Sequence, residues 1–164
     1  MSVKIAGDWS KFEKCLGRLA NFNFTGMHQE IGEYIVSSTQ RRFKTETSPG
    51  GEKWPKSIRA KNERGQTLSD TRRLRNSIGY RATPDGVEAG TNVKYAAVHQ
   101  GREDGKPTVI KPKKAKALRF KIGDRWATKK AVRIPARPFL GINEEDEKEI
   151  GSIINDRIEE TVKR

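Results

Sequence analysis

Apolar residues recur at helical spacing toward both ends of the chain and alternate with polar residues in its middle. Phe12, Leu16 and Leu19 stand at i, i+4 and i+7, one face of a helix. Ser10-Lys11-Phe12-Glu13 has the form of a capping box, so a helix is predicted from Ser10 to near Asn21. Thr25 is a predicted cap for a second helix running to about Lys44. Met27, Ile31, Tyr34 and Ile35 line one face of it, and Phe43 extends that face. Both stripes read as core faces and carry no chemistry. At the other end, Asn143 precedes Glu144, Glu145 and Asp146, acids favoured at the positive end of a helix dipole. Ile150, Ile153, Ile154, Ile158 and Val162 form the apolar face of that helix, and Lys163 and Arg164 close it.

Between these ends the period changes. A short strand is predicted over Val3–Ala6, before the first helix. Ser48-Pro49-Gly50-Gly51 stops the second helix, and residues 45–66 read as a long, basic, mobile loop around Trp54-Pro55. Leu68–Asn76 reads as a short helix capped by Ser69 or Asp70, with Leu74 turned inward. Ser77–Ala82 and Val87–Thr91 flank Thr83-Pro84-Asp85-Gly86, which is turn chemistry, so a hairpin is predicted. Tyr95–Gln100 is a short, mostly apolar segment ended by Gly101. Thr108–Ile110 reads as an edge strand. Leu118, Phe120 and Ile122 alternate with Arg119 and Lys121, and Val132 and Ile134 alternate with Arg133. These two runs, joined through Gly123-Asp124, are the expected second hairpin. Helices, then strands, then a helix, without βαβ alternation, predict an α+β fold. The expected architecture is N-terminal helices, an antiparallel sheet built from hairpins, and a C-terminal amphipathic helix packed on that sheet.

Composition narrows the function. The chain has 164 residues, which fits one domain over 1–164. One cysteine, Cys15, excludes an internal disulfide framework, and beside an apolar helix face it reads as a small core residue. No apolar run approaches the roughly 20 residues that span a bilayer, and the N-terminus lacks a signal-peptide core. A soluble, cytosolic protein without membrane contact is expected. The net charge is +13, and it is unevenly placed. Residues 1–40 are neutral, 41–140 carry +17, and 141–164 carry −4. Such a split suits an anionic partner or head-to-tail self-association, though a solvated surface explains the charge as readily.

Catalytic signatures are missing from the sequence. It has no Walker loop, no dinucleotide fingerprint, no zinc-type cysteine pairing and no nucleophile elbow. His28 and His99 lack metal-ligand spacing; His28 reads as a surface histidine and His99 as structural. The acidic run Glu144–Glu149 fits the helix dipole and solvation better than acid–base catalysis. No enzyme activity, cofactor or metal is expected.

Candidate interaction residues remain. Lys111, Lys113, Lys114 and Lys116 form a basic loop that can contact phosphates without reading bases, or can serve as a solvated hairpin tip. The aromatics that accompany single-strand binding are missing from that loop. Trp54 either folds back into the core or anchors its loop on a neighbouring subunit. Pro135 and Pro138 fix φ and remove two backbone donors, so the chain after Ile134 is extended and stiff. Arg137, held between them, suits a fixed salt bridge or an intersubunit contact, and Phe139 and Leu140 pin the start of the last helix.

Five segments, in order, resemble the phage virion morphogenesis family, the tail-completion proteins of Mu-like and P2-like tailed bacteriophages. The most specific is Val132-Arg133-Ile134-Pro135-Ala136-Arg137-Pro138-Phe139-Leu140-Gly141, followed by an acidic amphipathic helix. The others are Tyr95-Ala96-Ala97-Val98-His99-Gln100-Gly101, the Lys116–Phe120 strand, Pro49–Pro55, and Leu68…Leu74…Ser77-Ile78. Asp70-Thr71 departs from the pattern, where the family often has a Thr-Gly turn. The resemblance implies a non-enzymatic assembly factor that finishes the tail or joins it to the head. It implies phage tail or neck proteins as partners and a homo-oligomeric ring around the DNA channel. The basic middle block would then face DNA, without sequence specificity, or an acidic tail component. The implied location is the host bacterial cytoplasm during assembly, then the virion tail or head–tail junction. A basic nucleic-acid-binding protein is the alternative from a different class.

Overall fold

In the computed structural model, residues 9–101, 107–122 and 125–163 are described. The expected strand Val3–Ala6 and the Gly123-Asp124 connection lie outside them. The elements in chain order are α1 (Ser10–Ala20), α2 (Phe24–Thr45), α3 (Ile58–Asn62), α4 (Arg73–Asn76), β1 (Gly79–Thr83), β2 (Gly86–Gly90) and α5 (Ala96–Gln100). Then come β3 (Thr108–Ile110), β4 (Leu118–Ile122), β5 (Arg125–Lys129), β6 (Val132–Ile134) and α6 (Glu144–Lys163). The fold is α+β, with antiparallel pairs β1–β2, β3–β6 and β4–β5 forming three two-stranded sheets.

The long helix α2 is the spine. Asn23, not Thr25, caps it, its side chain accepting from the Gly26 amide at 2.9 Å. Its inward face buries Met27, Ile31 and Phe43, as the periodicity predicts, and the β1–β2 hairpin lies against it. Gly32 makes that approach possible, because a Cβ there would sit 2.2 Å from the Tyr80 ring. His28 Nδ1 donates to the Thr83 carbonyl at 2.7 Å, and Tyr80 donates to Glu33 at 3.2 Å, fixing the hairpin to the helix. His28, expected at the surface, is instead half-buried and ties the hairpin to the helix. The core gathers Phe43, Trp54, Leu74, Ile78, Val93, Ala96 and Phe139. Phe43 sits at its centre, 5.4 Å from the Trp54 ring and 5.3 Å from the Phe139 ring.

Several expectations are corrected. Ser10 lies inside α1 rather than capping it, since Trp9 occupies the cap position without a side-chain bond. The α1 stripe is not a core face: Phe12, Leu16 and Leu19 are 55%, 49% and 36% exposed, and the helix has no buried residue. Cys15, half-buried, is therefore not a core residue. The segment 45–66 is not without secondary structure. It holds α3, whose cap Ser57 accepts from the Ala60 amide at 3.1 Å, and a bridge between Thr47 and Lys53. The helix before the first hairpin is only α4, because Leu68 and Arg72 take positive φ of 60° and 57°, which blocks an earlier start. Leu74 is buried as expected. The second hairpin is β4–β5, not a pairing of Leu118–Ile122 with Val132–Ile134. β6 instead pairs with the expected edge strand β3, Val109 opposite Arg133. α6 lies mainly against α2 and α1 rather than on a sheet, with Arg157 bonded to Glu30 at 2.7 Å.

Candidate functional site

The proline-flanked segment after β6 forms the centre of a hydrogen-bonded junction, and most of the motif residues converge on it. Stripping two amides from the backbone at Pro135 and Pro138 leaves carbonyls that other residues must satisfy. Gln100, at the end of α5, serves this segment with its whole side-chain amide. Its Nε2 donates to the Leu140 carbonyl at 2.7 Å, and its Oε1 accepts from the Phe139 and Leu140 amides at 3.2 and 3.1 Å. The Arg137 amide donates to the His99 carbonyl at 2.7 Å. Gly101 ends α5 with φ of 85°, and a Cβ there would meet the Ala136 methyl at 2.7 Å.

Trp54 and Arg137 lock the junction from the other side. Trp54 is tucked into the core, and its Nε1 donates to the Pro138 carbonyl at 2.9 Å. Arg137 is 5% exposed. No carboxylate faces it among the described salt bridges; its Nε donates to the Pro55 carbonyl at 2.7 Å and its Nη1 to Pro135 at 3.5 Å. Burial lowers its pKa from the ordinary guanidinium value. Phe139 is fully buried. Trp54, Arg137 and Phe139 are thus brought together, as parts of one scaffold rather than as an exposed surface. His99 sits beside Arg137 with its Nδ1 buried and without a hydrogen-bond partner. Burial first, and the Arg137 charge second, hold its pKa below the usual histidine range.

The sequence missed two further members. Arg42 of α2 pairs with Asp146 in the first turn of α6, both nearly excluded from solvent. Arg42 also donates to the Phe139 and Gly141 carbonyls at 3.2 and 2.6 Å, so one guanidinium joins α2, the proline segment and α6. Asp146 accepts from Ser38 at 2.5 Å, Tyr34 at 3.1 Å and the Asn143 amide at 3.1 Å. Burial alone would raise its pKa, but these hydrogen bonds and the Arg42 charge prevail and hold it below the ordinary carboxylate value. The Asn143 side chain returns the contact to the Asp146 amide at 2.8 Å, a reciprocal cap. Asn143-x-x-Asp146 was the legible signal; nothing in the sequence marks Arg42 as its partner.

The lysines lie apart from this junction. Lys111, Lys113, Lys114 and Lys116 are all exposed, on the connection from β3 to β4. The β4–β5 hairpin carries Arg119 and Lys121 on one face, while Arg125 and Lys129, paired with Ile122 and Leu118, flank the other. Its other face borders an open groove of about 940 Å³ lined by Ile58, Phe120, Ile122, Ile134 and Pro135, with Arg133 among the basic residues around it. Among the described residues no group of three His, Cys, Asp or Glu could hold a metal ion, and no helix is long and apolar enough to cross a membrane.

The motif residues thus build a rigid α+β frame beside a strongly basic arm. The phage virion morphogenesis family model matches residues 7–159, so the chain belongs to that family, whose members act in building the bacteriophage particle. No curated protein and no solved structure matches the chain at a significant level.

Proposed function

We propose that this protein is a non-enzymatic assembly factor that completes the phage tail or joins it to the head. It acts as one subunit of a homo-oligomeric ring whose partners are tail or neck proteins. The observation that carries the reading is the internal use of the family segments. Trp54-Pro55, His99-Gln100-Gly101 and Pro135–Gly141 bond to one another, making a stiff frame that presents separate surfaces outward. One surface is basic, the lysine connection with the β4–β5 hairpin. Another is the apolar stripe of α1, where Phe12 and Leu16 remain about half exposed. Monomers rarely leave such a stripe exposed, so it serves subunit contact.

Light scattering coupled to size exclusion at two salt concentrations tests the reading, beside complementation of virion assembly. A defined oligomer that survives the higher salt, and assembly lost with Leu16→Glu, are expected. A monomer at every concentration, with Leu16→Glu assembling normally, overturns it. The second reading, a nucleic-acid-binding role outside assembly, is favoured by ten Lys/Arg against one Asp between residues 111 and 133. Its signature is DNA binding without a defined oligomer.

A further inference from the structure

Of the large apolar side chains described, Trp126 is the most exposed, at 62%. It belongs to β5, a strand the sequence pattern did not reveal, and pairing with β4 gives it specific neighbours. Trp126 stands opposite Lys121, and Arg119 stands opposite Thr128. Strand alternation puts these four on one face, while Leu118, Phe120 and Ile122 turn to the other and are half-buried. Arg119 is the diagonal neighbour of Trp126, and its guanidinium carbon lies 4.7 Å from the indole centroid. Lys130, just beyond β5, is exposed near the lysine connection, while Lys129, paired with Leu118, turns to the other face.

We infer that this face is a binding site for single-stranded nucleic acid. An exposed indole with one side covered by a guanidinium offers its remaining side to a planar partner. An unpaired base is such a partner, and stacking on it tolerates any sequence. The surrounding cations supply the phosphate contacts that hold the strand along the hairpin. An acidic protein would satisfy the cations but has no use for the indole, whereas a strand with unpaired bases uses both. The aromatic missing from the lysine connection is thus provided by the neighbouring strand. The inference goes beyond the assembly role and does not depend on the oligomer.

Anisotropy of a dye-labelled oligo-deoxythymidine strand gives the affinity of the full chain and its variants, and quenching of tryptophan emission in Trp9→Phe reports contact at Trp126, since Trp54 is buried. Saturable quenching is expected, with about tenfold to hundredfold weaker binding in Trp126→Ala. Trp126→Phe retains most of the affinity, and Arg119→Ala weakens it less than Trp126→Ala does. Duplex DNA of equal length loses little affinity in Trp126→Ala, because its bases are already stacked. Absence of quenching, equal losses for single strand and duplex, or full displacement by polyglutamate of equal charge overturns the proposal. None of these outcomes bears on whether the protein forms its ring, which light scattering reads separately.

Discussion

The Arg42 guanidinium and the Asp146 carboxylate form a buried pair that fastens the long second helix to the first turn of the last one. Removing one partner of such a pair leaves the other charge uncompensated, which typically costs about 3–5 kcal/mol. Asp146→Asn should lower stability by an amount of that order in urea unfolding. The pH dependence has a definite sign. The folded-state pKa of Asp146 is depressed, so its contribution is fully present above the ordinary carboxylate value near about 4 and is lost as pH falls toward the lower folded value. Asp146→Asn should therefore flatten the acid limb of the stability curve. An unchanged acid limb would show that the pair does not govern it.

Gln100 and Gly101 test the junction beside α5. Gln100→Leu strands two amides and a carbonyl of the Phe139-Leu140 segment, with an expected loss of about 2–4 kcal/mol. Gly101→Ala should also destabilise, through positive φ and collision with Ala136. Adding Ala136→Gly should recover the collision but not the backbone strain. A double-mutant cycle showing no coupling between the two positions would contradict the geometry.

His99 adds a second pH effect at milder acidity. With its folded pKa depressed, stability is full above the ordinary histidine value near about 6.5 and declines as pH falls below it. His99→Gln should abolish that decline while leaving the lower carboxylate transition. Thermal melts across mildly acidic pH separate the two.

The arginine between the prolines now carries a different expectation from the lysines. Arg137 is buried against backbone carbonyls, so Arg137→Ala should impair folding itself, seen as reduced solubility and a lowered melting temperature. Lys113→Glu with Lys114→Glu should leave the melting temperature unchanged and reduce the salt slope of duplex DNA binding by about two. If the lysine pair unfolds the protein while Arg137→Ala melts normally, the assignment of frame and surface is reversed.

Limited trypsin digestion probes the segment 45–66, which we propose is the most mobile stretch of the isolated subunit. Trp54 and the Thr47–Lys53 bridge pin its first half, so early cuts are expected at Lys61 or Arg64, beyond the last of these anchors. A first stable cut within α6 would remove the proposal.

Local patterning determined much of this protein before any coordinates. The acid-capped α6, the buried face of α2, the Thr83–Gly86 turn and the stiffness after Ile134 follow from periodicity, dipole and proline geometry, which act within a few residues. The ordered motifs also identified the family, because such segments mark a fold even when their contacts are hidden. Tertiary structure alone decided the rest. Whether an amphipathic stripe is core or surface depends on what lies across from it, so α1 reads like α2 yet remains exposed. Strand pairing is a choice among distant partners, and the short run Arg125–Lys129, too polar to announce itself, took β4 from β6 and carried Trp126 beside Arg119. The partners of Arg42, Gln100 and Arg137 lie 104, 40 and 82 residues away, and no local rule reaches that far.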